Sequence, residues 1–130
     1  ERWYGFDDGM YAAGRLAEIL STHGDSLDQV LEAFPVTCNT SEILVPVAEQ
    51  DKFPLIERLV ESATFPSGKV NTLDGIRVDF TEGWGLVRAS NTVAALTARF
   101  EASSAEALEQ IKSEFREQLA RVAPDLELTF

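Results

Sequence analysis

The order of apolar patterns along residues 42–130 constrains the fold of this chain more than any other feature. Apolar and polar residues alternate in the stretches 42–47, 70–80, 84–89 and 95–102. A helical stripe of apolar residues follows the first stretch, and a second helical stripe follows the last. Alternation is typical of strands, and a period near 3.6 residues is typical of helices. The order β-α-β-β-β-α predicts an α+β fold, a four-stranded, mainly antiparallel sheet with two helices on one face.

Turn and capping residues mark the boundaries of these elements. Asp51 precedes the first helix, and Ser103 with Glu106 forms a capping-box pattern before the second. The dipeptide Asp74-Gly75 interrupts the stretch 70–80 and is a strong signal for a tight turn. That stretch is therefore either a hairpin of its own or a single bulged strand.

The first forty residues have a different pattern, with two short helices and no strand. Asp8 can cap a helix over 9–21, and Ser26 with Gln29 forms a capping box for the next. So short a segment does not usually fold alone, and the chain opens on Glu1 rather than Met. These residues therefore either dock on the rest of the chain or are the tail of a domain whose beginning is missing, and we expect a piece of a longer protein.

Three segments follow from these patterns. We expect a helical remnant of a preceding α/β domain, a polar hinge linker and a C-terminal domain. Their predicted ranges are 1–36, 37–41 and 42–130.

Charge and composition exclude several classes of partner. The 130 residues carry a net charge of −11, whereas nucleic acids and anionic membranes attract basic surfaces. No apolar run approaches the ~20 residues that cross a bilayer. The single Cys38 leaves no disulfide within the chain, which favours a cytoplasmic location.

The residue types needed for catalysis or metal binding do not form a complete set. The only histidine, His23, lies at a predicted helix end, where a positive charge complements the helix dipole. Cys38 has no basic neighbour that would activate its thiol. Asp7 and Asp8 are better explained as helix-capping residues than as a metal pair. We predict no catalytic residue and no metal site in this chain.

One loop gathers groups that could hold an anion. Arg88 is followed by three short hydrogen-bonding residues, Ser90, Asn91 and Thr92, and residues 68–99 carry four basic residues against three acidic ones. An ordinary polar turn, with the arginine paired to a nearby carboxylate, would explain this pattern. A phosphate site, with charge-assisted bonds from the guanidinium and further bonds from the loop, is the functional interpretation of the same pattern. The residues alone leave both interpretations open.

Three segments occur in a characteristic order around that loop, DGIRVDF, GWGLVRASNT and AALTARFEA, and the chain opens with ERWYGFDDGMYAAGRLAEIL. Together they closely resemble the last domain of the α-D-phosphohexomutases, in particular the bacterial phosphomannomutase/phosphoglucomutase branch, preceded by the end of the third domain. The resemblance covers essentially the whole chain. It implies a TATA-box-binding-protein-like form of the expected α+β fold.

The resemblance also implies a function. Members of the family interconvert hexose 1-phosphate and hexose 6-phosphate through a bisphosphorylated sugar. They use an upstream phosphoserine and an upstream aspartate loop that holds Mg²⁺. By motif, Arg88, Ser90, Asn91 and Thr92 would bind the phosphate that is not transferred. Val93 and Ala94 depart from the acidic residue and proline of many relatives, so the loop's backbone geometry is not carried over.

The expected partners are therefore a glucose or mannose phosphate and the upstream domains, and the chain alone is expected to be inactive. The alternative is a free-standing α+β regulatory or protein-interaction module. In that case the linker and the exposed sheet face, not the loop, would do the binding.

Overall fold

The computed structural model describes residues 3–24 and 26–130. Glu1, from which we predicted that the chain is a piece of a longer protein, lies outside the described residues. The chain divides into two compact units, Glu1–Val36 and Thr37–Phe130. The first unit contains helices α1 (Gly9–His23) and α2 (Leu27–Leu31). None of the described residues of either helix is buried.

Both caps predicted in the first unit are confirmed. The carboxylate of Asp8 accepts a hydrogen bond from the backbone N–H of Tyr11 at 2.9 Å, which satisfies one of the unpaired donors of the first turn. Ser26 and Gln29 form the predicted capping box, with each side chain accepting from the other's backbone N–H. Local sequence therefore fixes where these two helices begin.

The second unit is an antiparallel sheet with two helices. The helices are α3 (Lys52–Ser62) and α4 (Ala105–Val122). The strands are β1 (Cys38–Asn39), β2 (Ile43–Pro46), β3 (Lys69–Asn71), β4 (Ile76–Phe80), β5 (Gly83–Ala89) and β6 (Ala95–Ala102). β1 and β2 both pair with β6, and β5, β4 and β3 follow in that order on the other side. The predicted α+β class with an antiparallel sheet is confirmed.

The strand count differs from the predicted four for two reasons. The stretch 70–80 is a hairpin of its own, because β3 and β4 pair with Val70 opposite Val78. The second reason is β1, which lies inside the predicted linker 37–41 and pairs with the end of β6. β6 is twice as long as β2, so β2 leaves one end of β6 unpaired, and the linker supplies the missing edge.

The capping predictions of the second unit are wrong in detail. Ser104, not Ser103, caps α4, and its hydroxyl accepts from the N–H of Ala107 at 3.1 Å. Ser103 instead donates its hydroxyl hydrogen to Glu82 at 2.5 Å. Asp51 precedes α3 without a side-chain capping bond. Two consecutive serines offer the same chemistry, so tertiary contacts decided which one caps the helix.

The core lies between one face of the sheet and the two helices. Val87, Leu96 and Phe100 are buried on that face, and the Phe100 ring lies 5.4 Å from the Phe115 ring of α4. A Cβ atom at Gly85 would lie 2.4 Å from the Phe115 ring, so a glycine is needed where α4 crosses β5. The opposite face of β5 therefore carries the alternate residues, among which is Arg88.

Candidate functional site

The placement of Arg88 follows from the alternation of β5. Val87 and Ala89 are buried in the core, so the side chain between them points to the opposite face of the sheet. Arg88 lies opposite Thr97 of β6 and keeps 34% of its side-chain surface exposed. The guanidinium is thus held on a rigid strand at the start of the loop and remains accessible to an anion.

The loop between β5 and β6 is organised by Ser90. The backbone N–H of Ser90 donates to the carbonyl of Ala95 at 3.0 Å, which closes the loop. Its buried hydroxyl oxygen accepts from the backbone N–H groups of Thr92 at 3.3 Å and Val93 at 3.2 Å. Ser90 therefore shapes the loop from within, while Asn91 and Thr92 are exposed to solvent.

The structure brings the four predicted residues together around one pocket. This pocket has a volume of about 400 Å³. Its lining consists of Glu42, Leu44, Arg88, Ser90, Asn91, Thr92, Val93 and Thr97. A guanidinium, an amide and two hydroxyls on one concave surface supply the donors that a tetrahedral oxyanion needs.

Arg88 also has a carboxylate partner, as the ordinary-turn interpretation expects. Its Nη1 donates to Oδ2 of Asp74 at 3.2 Å. Asp74 is 68% exposed, and an exposed ion pair of this kind contributes only about 0–1 kcal/mol. The pair takes one of the five guanidinium N–H groups, so Arg88 can exchange it for a stronger partner.

The close approach of Asp74 depends on Gly75. This glycine has a φ of +72°, and a Cβ atom there would lie 2.3 Å from the carbonyl oxygen of Val87 and 2.6 Å from the Cβ of Arg88. The sequence predicts the turn but not its contact with Arg88. The contact follows from the pairing of β4 with β5, which places Ile76 opposite Val87 and so brings the turn before β4 next to Arg88.

Two further residues at the site were not predicted. Glu42 lines the pocket, and Lys52 donates from Nζ to the carbonyl oxygen of Val93 in the loop at 3.3 Å. Lys52 is buried, although it is the first residue of α3. The sequence gives no signal for this contact, because a lysine at a helix start is ordinarily solvated.

The other sequence candidates are not among the residues that line the pocket. His23 Nδ1 lies 3.0 Å from the carbonyl of Ile19 in the last turns of α1, and Cys38 lies in β1 as a free thiol. Within residues 3–24 and 26–130, no group of three or more His, Cys, Asp and Glu side chains could hold a metal ion. No helix in that same part of the chain is long and apolar enough to cross a membrane.

Comparison with known proteins gives matches along the chain. Residues 42–118 match the family described as phosphoglucomutase/phosphomannomutase, C-terminal domain. A phosphomannomutase/phosphoglucomutase of Pseudomonas putida is 50% identical over 130 residues, which are 100% of this chain and 28% of that protein. A phosphoglucomutase of Neisseria meningitidis is 43% identical over 118 residues, 89% of this chain and 25% of that protein.

A solved structure is also similar. The crystal structure of a phosphoglucomutase/phosphomannomutase family protein from Burkholderia thailandensis has a TM-score of 0.83 and 39% sequence identity. The match covers 99% of this chain and 27% of that one. The chain thus spans about a quarter of the length of these relatives.

Proposed function

This chain belongs to the phosphoglucomutase/phosphomannomutase family, whose C-terminal domain it matches, and we propose that its β5–β6 loop binds the phosphate of a hexose phosphate. The observation that carries the proposal is the pocket of about 400 Å³ that Arg88, Ser90, Asn91 and Thr92 line together. In an ordinary polar turn these four side chains would not need to line one concave surface. Family membership adds a substrate class that suits such a surface.

Each residue has a distinct role in this proposal. Arg88 supplies the positive charge and up to two parallel N–H groups to one face of the phosphate. The Asn91 amide and Thr92 hydroxyl lie on the exposed part of the loop and bond to the remaining oxygens. Ser90 acts through the loop, because its hydroxyl oxygen already holds the N–H groups of Thr92 and Val93. Charged hydrogen bonds contribute ~1.5–3 kcal/mol each, so a few of them hold a phosphomonoester without a metal.

The complete protein is proposed to be a cytoplasmic mutase that interconverts hexose 1-phosphate and hexose 6-phosphate through a bisphosphorylated sugar. In that reaction the pocket holds the phosphate that is not transferred. This contact acts on the bound substrate and the transition state alike, so it lowers KM more than it raises kcat. The transferring groups belong to upstream domains, and this chain alone is proposed to be inactive.

Mg²⁺, which the family implies, does not fit the described residues. Mg²⁺ is held in proteins by oxygen ligands such as carboxylates, and the described part of the chain has no group of three or more His, Cys, Asp and Glu side chains that could hold a metal ion. We therefore propose that the metal is held outside this chain.

The pairing of β1 with β6 affects which residues could act as the predicted hinge. The N–H of Thr40 donates to the carbonyl of Phe100 at 3.0 Å, and the Thr40 hydroxyl accepts from the N–H of Phe100 at 3.1 Å. We propose that any movement of this domain as a lid over a substrate cleft is carried by residues before Cys38. Amide exchange at Thr40 as fast as in unstructured peptide would instead assign the movement to the whole segment 37–41.

An amide chemical-shift titration of this chain with glucose 1-phosphate tests the phosphate proposal. We expect saturable shifts at residues 88–92 and their loss in Arg88→Ala. Arg77→Ala is the matched control, because Arg77 is another arginine of the sheet and is paired with Asp79 at 2.7 Å, away from the pocket lining. Shifts that are equally weakened in both variants, or absent from the loop, would contradict the proposal.

A further inference from the structure

Lys52 is a buried cation beside the β5–β6 loop. Its exposed fraction is 2%, and its ammonium lies 2.6 Å from Oε1 of Glu49, 3.3 Å from the carbonyl oxygen of Val93 and 5.2 Å from the centre of the Phe53 ring. A buried charge is costly unless it is paired and hydrogen-bonded, so these contacts fix where the ammonium lies. The second contact joins the first residue of α3 to a loop 41 positions further along the chain.

Val93 is held in place from three directions. Its N–H donates to the Ser90 hydroxyl oxygen at 3.2 Å, and its carbonyl accepts from the N–H of Ala95 at 2.9 Å. The bond from Lys52 occupies the remaining acceptor site of that carbonyl. The Val93 carbonyl oxygen therefore accepts hydrogen bonds from both Lys52 and Ala95. These bonds matter because a carbonyl oxygen turned toward the pocket would repel an anion.

We propose that Lys52 is a positioning residue for phosphate binding. It fixes the Val93 carbonyl and so holds Asn91 and Thr92 in the arrangement that lines the pocket. Lys52 itself does not line the pocket, so its effect passes through the loop backbone rather than through contact with phosphate. This inference rests on the proposed function of the loop.

Lys52→Met is the informative substitution, because methionine keeps most of the apolar stem and removes the ammonium. Replacing a buried ion by an apolar residue of similar volume is often tolerated by a fold. Glu49→Gln is the matched control. It removes the charge partner, which is 66% exposed, and leaves the bond from Lys52 to Val93.

The first readout is amide hydrogen exchange in the unliganded chain. In Lys52→Met we expect exchange at the Thr92 and Val93 amides to rise on the order of tenfold, with the core amides of Val87 and Ala98 unchanged. In Glu49→Gln we expect a smaller rise than in Lys52→Met, because the bond from Lys52 to Val93 remains. Unchanged exchange at Thr92 and Val93, or the same acceleration at all four amides, would overturn the inference, because the second result indicates only lost global stability.

The second readout is the affinity for inorganic phosphate, followed by the shifts of residues 88–92. We expect Lys52→Met to weaken it about tenfold, the effect of one lost bond of ordinary strength. If Arg88→Ala abolishes binding and Lys52→Met does not weaken it, the inference fails and the proposed function stands. If Arg88→Ala leaves binding intact, the proposed function fails, and the exchange data still decide whether Lys52 orders the loop.

A measurement on the unmodified chain covers the case in which Lys52→Met does not fold. The ¹⁵N resonance of the Lys52 ammonium should be observable because burial slows its proton exchange. We expect it to shift as inorganic phosphate saturates the loop. A Lys52 resonance that stays constant while the residue 88–92 amides shift would overturn the inference.

Discussion

Replacing Asp74 by asparagine should strengthen phosphate binding. Asp74 occupies one N–H of Arg88 at 3.2 Å and is 68% exposed, whereas Arg88 is 34% exposed. Such a pair contributes about 0–1 kcal/mol, while a charged hydrogen bond from Arg88 to phosphate contributes ~1.5–3 kcal/mol. Asp74→Asn removes both the competing acceptor and a negative charge beside the bound dianion. We expect up to about fivefold tighter binding, which corresponds to roughly 1 kcal/mol.

The assay is a titration with inorganic phosphate at fixed ionic strength, since at 0.1 M salt the interactions between exposed charges more than about 10 Å apart are largely screened. Asp79→Asn is the control, because Asp79 is paired with Arg77 at 2.7 Å, is 48% exposed and loses the same charge. We expect less than about a twofold change in this control, given that screening. Urea denaturation should show that each variant loses less than about 1 kcal/mol of stability.

Weaker binding in Asp74→Asn would refute the reasoning. It would mean that the carboxylate orients Arg88 for the ligand rather than competing with it. An equal gain in Asp79→Asn would attribute the effect to net charge and remove any special role for Asp74.

Three further predictions concern local structure. Gly75→Ala should destabilise the chain by about 2–4 kcal/mol in urea denaturation, since the new Cβ would lie 2.3 Å from a β5 carbonyl at a φ of +72°; a loss under about 0.5 kcal/mol would contradict the described approach. Ser90→Ala should speed amide exchange in the loop about tenfold and weaken phosphate binding, because the hydroxyl accepts from two loop amides; an unchanged loop would show that the backbone alone holds it. Hydrogen bonds lower the pKa of Glu109, and the bond from Lys112 has a larger effect than the one from Arg116. The small stabilisation from this exposed group is therefore present above the unfolded pKa and is lost as the pH falls through the lowered folded pKa. Carboxyl ¹³C titration should show the Glu109 midpoint rising in Lys112→Met, and a midpoint that does not move would contradict that cause.

The fold was largely predictable because its signals are local and periodic. Leu96, Ala98 and Phe100 of β6 are buried as their alternation predicts, although the polar Thr97 between them is buried too, and the antiparallel α+β class is confirmed. The predictions that were wrong concern features that depend on contacts between segments distant in sequence. The strand formed by Cys38 and Asn39 has only two residues and lies between polar residues, so no local pattern indicates it. It forms because it pairs with the end of β6.

The grouping of the candidate site residues was predictable in part for the same reason. Arg88 and the three polar residues of the loop lie within five consecutive positions, and the structure places all four around one pocket. Asp74 and Lys52 reach the same loop from positions 14 and 41 residues away from their partners. Such contacts depend on strand register and on helix packing, which no local pattern encodes.

A crystal structure of this chain grown with glucose 1-phosphate would test the central claim most directly. We predict the phosphate in the pocket, with Arg88 turned from Asp74 onto its oxygens and with further bonds from Asn91 and Thr92. A phosphate bound elsewhere at full occupancy, with Arg88 still on Asp74 and the pocket empty, would contradict the account.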